Sequence, residues 1–283
     1  VAAHLGETDY TDVRGRRARY RVAGDGPPVL LLHGIGRSLH DWAEQQDLLA
    51  GEYRTYSVDL AGSGMSEPLP GRHTLEALAR FAADFLDAVG ESRPVHVAGN
   101  SLGGAVAMRL SLDFPERVRS LVLVNSAGFG REVTIALRLL ALRPLGKLLL
   151  RPSRAGALRA ERALFADHAL ATADRVEYAL DLARQPHAAR VMLETARGLG
   201  GFRGVAEEWR RPLLEAVAAR RLPALVVWGD RDLILPATHL AAARQALPHA
   251  QTRLFTGTGH MPQIERAEEF HDLVTEFWAS SAA

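Results

Sequence analysis

Residues 95–108 read VHVAGNSLGGAVAM. A short, mostly apolar run from Val95 to Ala98 enters a turn, Gly99-Asn100-Ser101-Leu102-Gly103-Gly104, and small residues then continue at helical spacing. A strand, a tight glycine turn and a helix in that order is the context in which G-x-S-x-G carries meaning. Glycines two before and two after Ser101 leave room for a turn that strains the serine backbone. The helix start beyond it offers unpaired N–H groups and the positive end of a dipole. Whether Ser101 is a nucleophile or a turn residue depends on what the rest of the chain supplies.

Working outward, further strands appear on both sides. PPVLLLHG is a continuous apolar run ending in glycine, which reads as a strand buried on both faces, as in parallel sheets. Val118–Val124 and Pro223–Gly229 also read as buried strands, and Tyr53–Asp59 and QTRLFTG at 251–257 as further strands. Between them lie helical patterns over 38–49, 74–89 (Thr74 as N-cap), 237–247 and 267–278. Two extended pieces about Arg14-Gly15 predict a hairpin near the N-terminus. Alternating strands and helices imply right-handed crossovers and a mainly parallel, twisted α/β sheet covered by helices on both faces.

One span breaks the alternation. From Phe129 to about Leu222 no strand is evident, and the composition is rich in Leu, Ala and Arg. That is far too long for a crossover. The reading is a core domain of residues 1–128 and 223–283 with a helical cap, 129–222, inserted over the carboxyl ends of the strands. Within the cap, Arg138, Arg143, Lys147 and Arg151 alternate with leucines, which fits one amphipathic helix with a solvated basic face better than a lipid-docking lid.

Composition narrows the function. The 283 residues are 47% hydrophobic and 24% charged, with a net charge of +1, an ordinary globular balance that points to no nucleic-acid partner. The absence of cysteine removes disulfides, thiolate nucleophiles and Cys-ligated metals. No apolar run is long enough to span a membrane, and VAAHLGETDY lacks the regions of a signal peptide, so a cytoplasmic location without stable membrane insertion is expected. No HExxH or similar spacing implies a metal or other cofactor.

A serine hydroxyl needs a base, and the base needs an orienting group. His260 lies in GTGHMPQIE after the last expected strand, and Asp232 lies in WGDRDLILP after the preceding one. Ser, Asp, His is the chain order of this architecture. HGIG at 33–36, DLAGSGMSEP at 59–68, GNSLGG at 99–104 and the two segments about Asp232 and His260 together resemble a capped serine hydrolase of the α/β-hydrolase superfamily, from about Tyr20 to Trp278. The resemblance implies Ser101 as nucleophile, His260 as base and Asp232 as its partner. It also implies an oxyanion hole from the backbone N–H groups of Ile35 and Leu102. Asp230 competes with Asp232, but the pattern W-G-x-x-D selects Asp232. His33 and Asp59 are expected to be structural, and His40, His96 and His168 have no partner pattern.

Serine at the elbow argues against epoxide hydrolases and haloalkane dehalogenases of this fold, which use aspartate there. The expected reaction is hydrolysis of carboxylic esters with small to medium apolar groups, in a site lined by Ile35, Leu102, Phe129 and Met261. The alternative is a carbon–carbon bond hydrolase of ring-cleavage diketones, suggested by GNS and AGFG. In that case a cap arginine such as Arg190 would hold a substrate carboxylate. A hydrolase-like small-molecule receptor is a third reading, and a cofactor-free perhydrolase a fourth.

Overall fold

A computed structural model describes residues 7–140 and 142–281. Val1–Gly6, part of the stretch read for a signal peptide, and the side chain of Arg143 lie outside the described residues. The chain opens with an antiparallel hairpin, β1 (Asp9–Asp12) and β2 (Arg17–Ala23), in register from Asp9 opposite Tyr20 to Asp12 opposite Arg17. Its reversal falls on Arg14 and Gly15, at φ 53° and 79°, the left-handed conformations that match the twist of a tight hairpin.

The remaining strands of the main sheet are β3 (Pro28–Leu32), β4 (Arg54–Val58), β5 (Val95–Asn100) and β6 (Val118–Val124). After a separate small hairpin, β7 (Gly200–Gly201) and β8 (Gly204–Val205), the chain adds β9 (Ala224–Gly229) and β10 (Gln251–Phe255). The order across the eight-stranded sheet is β1-β2-β4-β3-β5-β6-β9-β10. β2 joins β4 antiparallel, and every later pair is parallel. Every residue of β3, β5 and β9 is buried, which is why these segments read as unbroken apolar runs without alternation.

Helices cover both faces. On one, α2 (Leu75–Ala88) and α3 (Leu102–Asp113) pack in a single apolar cluster with Leu30, Val97 and Leu123 of the sheet. Thr74 Oγ1 accepts the Ala77 N–H at 3.2 Å and caps α2 as expected. On the other face, Trp42 and Leu49, at either end of α1 (Ala43–Leu49), join Phe270, Val274, Phe277 and Trp278, which belong to the C-terminal helix Ala267–Ser280.

Between β6 and β9 run α4 (Ile135–Leu140), α5 (Arg143–Leu149), α6 (Arg154–Leu164), α7 (Ala173–Ala183), α8 (Ala188–Leu199) and α9 (Glu207–Arg220). Beyond β9 come α10 (Thr238–Ala246), α11 (Pro262–Glu265) and α12, the C-terminal helix. Three features differ from the sequence reading. The hairpin β7–β8 lies in a span expected to hold no strand; two residues per strand, three of them glycine, leave no pattern to read. The basic series does not share one helix, because the chain breaks between α4 and α5, where a proline occupies the first turn of α5. Arg138 turns inward to the Val133 carbonyl at 2.9 Å. Finally, α9 falls within the expected cap span, yet Leu213, Leu214 and Val217 sit in the same buried cluster as α2 and α3.

Candidate active site

Ser101 closes β5 and opens α3 with φ 55° and ψ −116°, a combination outside the regions open to ordinary L-residues and held only where surrounding structure imposes it. The constraints are visible. The Ser101 N–H donates to the Val124 carbonyl at 3.0 Å, and its carbonyl accepts the N–H groups of Gly104 and Ala127. A Cβ on Gly99 would lie 2.3 Å from the Gly103 oxygen, and one on Gly103 would lie 2.2 Å from the Leu32 oxygen. The turn is thus too tight for any residue but glycine at either flank. Ser101 is mostly buried, and no hydrogen bond joins its hydroxyl to the His260 ring in this structure. Such contacts are often loose in unliganded sites.

The loops after β9 and β10 bring Asp232 and His260 together. His260 Nδ1 lies 2.7 Å from Asp232 Oδ2, with both side chains buried. The other Asp232 oxygen, Oδ1, accepts the N–H groups of Ile234 at 2.7 Å and Leu235 at 3.0 Å. Asn125 Nδ2 adds a donor to Oδ2 at 2.6 Å. Four donors on one carboxylate fix its plane, and the proton on His260 Nδ1 leaves Nε2 as the free basic nitrogen. The competing Asp230 instead accepts the Thr258 N–H at 3.2 Å and closes the turn. Asn100 Nδ2, beside the serine, donates to the His260 carbonyl at 3.0 Å and joins the elbow to the histidine loop.

The segment after β3 lies over the elbow. A Cβ on Gly34 would meet the Ser101 Cβ at 3.3 Å. Among the described residues, neither the Ile35 nor the Leu102 N–H finds an acceptor, so both stay free beside the serine. His33 holds this loop: its ring bonds the Gly34 carbonyl through Nδ1 at 2.7 Å, and its Nε2 accepts the Leu60 N–H at 2.9 Å. Burial lowers its pKa, so it serves as a neutral bridge, as expected. Asp59 is equally structural, taking Arg19 Nε, Leu39 N–H and Met65 N–H, each at 2.8 Å.

Two cavities share Ile35 and Leu102 in their walls. The first, about 100 Å³, lies under α7 and α8, with Leu60, Leu182, Val191 and Met192 in its walls. The second, about 60 Å³, reaches Ser101 and is closed by Val133, Leu137, Leu199, Trp209 and Ile234. Among the described residues, no charged side chain lines either one. Phe129 and Met261, expected in the pocket wall, are in neither. Phe129 is buried edge-on against Trp228, with ring centroids 6.2 Å apart, and Met261 is buried with Leu164, Phe165 and Ile264. Arg190 also stays outside, partly exposed and 3.5 Å from Glu194.

Three participants were not legible in the sequence. Asn125 carries no motif of its own, and its grip on Asp232 depends on a fold that aligns the ends of β6 and β9. Glu265, inside GHMPQIE, accepts the N–H groups of Gly259 at 2.6 Å and Ala166 at 2.9 Å, so it ties the histidine loop to the end of α6. Arg37 follows the HGIG loop and is held by Asp41 at 2.7 Å and by Glu161 of α6. Because Glu161 is buried, this ion pair clamps the insertion to the loop that carries Ile35.

A family model for the alpha/beta hydrolase fold matches residues 27–267, and the chain belongs to that family. It is 35% identical over 266 residues to the dihydrolipoyllysine-residue acetyltransferase component of the acetoin cleaving system of Cupriavidus necator, covering 94% of this chain and 67% of that protein. It is 30% identical over 268 residues to a 2-hydroxy-6-oxononadienedioate/2-hydroxy-6-oxononatrienedioate hydrolase of Paraburkholderia xenovorans, covering 92% and 90%. Among solved structures, a meta-cleavage product hydrolase from Pseudomonas fluorescens superposes with a TM-score of 0.81 at 23% identity, covering 99% of both chains. Membership in this family indicates hydrolase chemistry.

Proposed function

We propose that the chain is a serine hydrolase that cleaves carboxylic esters of small to medium, uncharged, apolar substrates. His260 Nε2 takes the Ser101 proton as Ser101 Oγ attacks the ester carbonyl carbon. The carbonyl π pair moves to oxygen, and the Ile35 and Leu102 N–H groups hold that oxyanion. Collapse of the tetrahedral adduct breaks the carbon–alkoxy bond, and imidazolium His260 protonates the departing alcohol. Water, deprotonated by His260, then releases the acid and restores Ser101. Asp232, fixed by Asn125 and two backbone donors, orients His260 and balances its charge.

The observation that favours esters is the uncharged lining that the described residues give both cavities. A dioate substrate, such as the Paraburkholderia relative's name specifies, would bring carboxylates into apolar walls without a cation, a costly burial. Carbon–carbon bond cleavage remains the second reading, supported by the 30% identity to that relative. The experiment compares kcat/KM for p-nitrophenyl butyrate, its ω-carboxylate analogue p-nitrophenyl succinate, and a ring-cleavage dioate. The ester reading expects the neutral ester to lead by at least tenfold, with Ser101→Ala inactive on all three. Faster turnover of the dioate would replace it with the carbon–carbon reading.

A further inference from the structure

Nine large hydrophobic side chains are exposed among the described residues, and six of them lie on α4 (Ile135), between α4 and α5 (Leu142), on α5 (Leu148 and Leu149), at the β7–β8 turn (Phe202) and in the loop after β9 (Leu233), each 41–68% exposed. Hydrogen bonds join some of these segments. The Thr134 N–H donates to the Ile234 carbonyl at 2.9 Å, which joins the segments that carry Ile135 and Leu233. The Val205 N–H donates to the Arg131 carbonyl at 2.9 Å, and Arg131 Nε holds the Arg203 carbonyl at 2.8 Å, which ties the hairpin that carries Phe202 to Arg131.

Helix α5 shows how the leucines come to face outward. Gly146 is its inward contact: a Cβ there would meet Leu193 of α8 at 2.7 Å and the Leu140 carbonyl at 2.8 Å. With that position pressed against α4 and α8, the following residues, Lys147, Leu148 and Leu149, turn away from the protein and are exposed. The next residue, Leu150, lines the first cavity, and Ile234, beside Leu233, lines the second. The apolar surface therefore adjoins the walls of both cavities.

Its charge is one-sided. Residues 133–160 contain no acidic residue and six basic ones. Of these, Lys147 and Arg151 are exposed beside the outward leucines, while Arg154 is paired with Glu177 at 2.7 Å. Glu132, the acid at the edge of the region, is bound to His239 at 3.0 Å. Apolar side chains standing out of a short helix and flanked by cations that pair with no acid among the described residues match a surface with an apolar interior and anionic headgroups. A helix presenting this combination lies in the plane of such an interface, with no segment crossing it.

We propose that α5, through Lys147, Leu148, Leu149 and the adjoining Arg151, docks reversibly on an anionic phospholipid bilayer and sets the cavity wall at Leu150 beside the lipid. This does not depend on which bond the enzyme cleaves. The test is co-sedimentation of the full chain with phosphatidylcholine vesicles, with and without about one third phosphatidylglycerol, at low and high salt. The result expected is binding to the anionic vesicles that weakens with salt. K147E/R151E should weaken it roughly thirtyfold, about fivefold or more for each cation, and L148S/L149S at least tenfold, while both variants keep wild-type turnover of p-nitrophenyl acetate and wild-type circular dichroism. No sedimentation with anionic vesicles would overturn the proposal. So would a wild-type dimer by light scattering that L148S/L149S converts to monomer, which would make the patch a contact between copies.

Discussion

Asn125 offers the sharpest mutational test, because its amide donates to the Asp232 carboxylate and, more weakly at 3.3 Å, to the Gly259 carbonyl, and its backbone is unusual. Its Nδ2 donates to Asp232 Oδ2 at 2.6 Å, and its backbone sits at φ 42°. Asn125→Ala removes a charge-assisted hydrogen bond in a buried site, about 1.5–3 kcal/mol. Placing alanine in the left-handed region adds about 1 kcal/mol. The first loss bears on both folding and the orientation of the His260–Asp232 pair; the second bears on folding alone. Urea unfolding should therefore show Asn125→Ala destabilised by about 2.5–4 kcal/mol. If the bond is realised fully in the transition state, kcat for p-nitrophenyl butyrate should fall roughly ten- to a hundredfold. Asn125→Asp turns the donor into an acceptor facing Asp232 and should be less active than Asn125→Ala. The reasoning is refuted if Asn125→Ala keeps kcat within twofold of wild type while Asp232→Asn is severely impaired. Ile234 and Leu235 would then suffice to hold the carboxylate.

Other consequences follow from the same geometry. Gly103→Ala, whose methyl would stand 2.2 Å from the Leu32 oxygen, must push α3 off β3 and should cost about 3 kcal/mol or more, read as a lowered Tm or loss of soluble protein. Glu161→Ala removes a buried charged partner of Arg37 and should cost about 1.5–3 kcal/mol; faster limited proteolysis within 150–166 would locate the loosening at the clamp. His96 is held to about 4, chiefly by burial and then by Arg119, and His40 to about 3, chiefly by burial and then by Arg19. Between pH 6.5 and about 4 the unfolded chain therefore binds protons that the native chain refuses, and stability falls as pH falls, by up to about 1.4 kcal/mol per pH unit for each histidine. Urea midpoints measured across that range should show this slope, and a smaller one in His96→Asn.

The parts of the fold that local chemistry dictates could be read in advance. Unbroken apolar runs gave the parallel strands because burial on both faces removes alternation. The glycines about Ser101 announced the elbow because only missing side chains permit it. Asp232 and His260 could be chosen because each directly follows a strand whose end faces the same crevice. What escaped the sequence depends on packing between distant segments. Phe129 and Met261 are apolar and near the site in sequence, yet their side chains point into the core, and the cavity walls come instead from Val133, Leu137, Leu199, Val191 and Met192. The Arg37–Glu161 clamp joins residues 124 positions apart. The exposed leucines of α5 read as ordinary helix periodicity until the contact at Gly146 fixed which side faced inward.

The central claim is that Ser101 carries the acyl group. The most direct measurement is rapid-quench proteolytic mass mapping during p-nitrophenyl butyrate turnover, paired with stopped-flow release of p-nitrophenol. The account predicts a butyryl adduct on the peptide containing Ser101, formed as fast as the burst of p-nitrophenol and absent in Ser101→Ala. An adduct on another residue, or a burst that persists in Ser101→Ala, would contradict it.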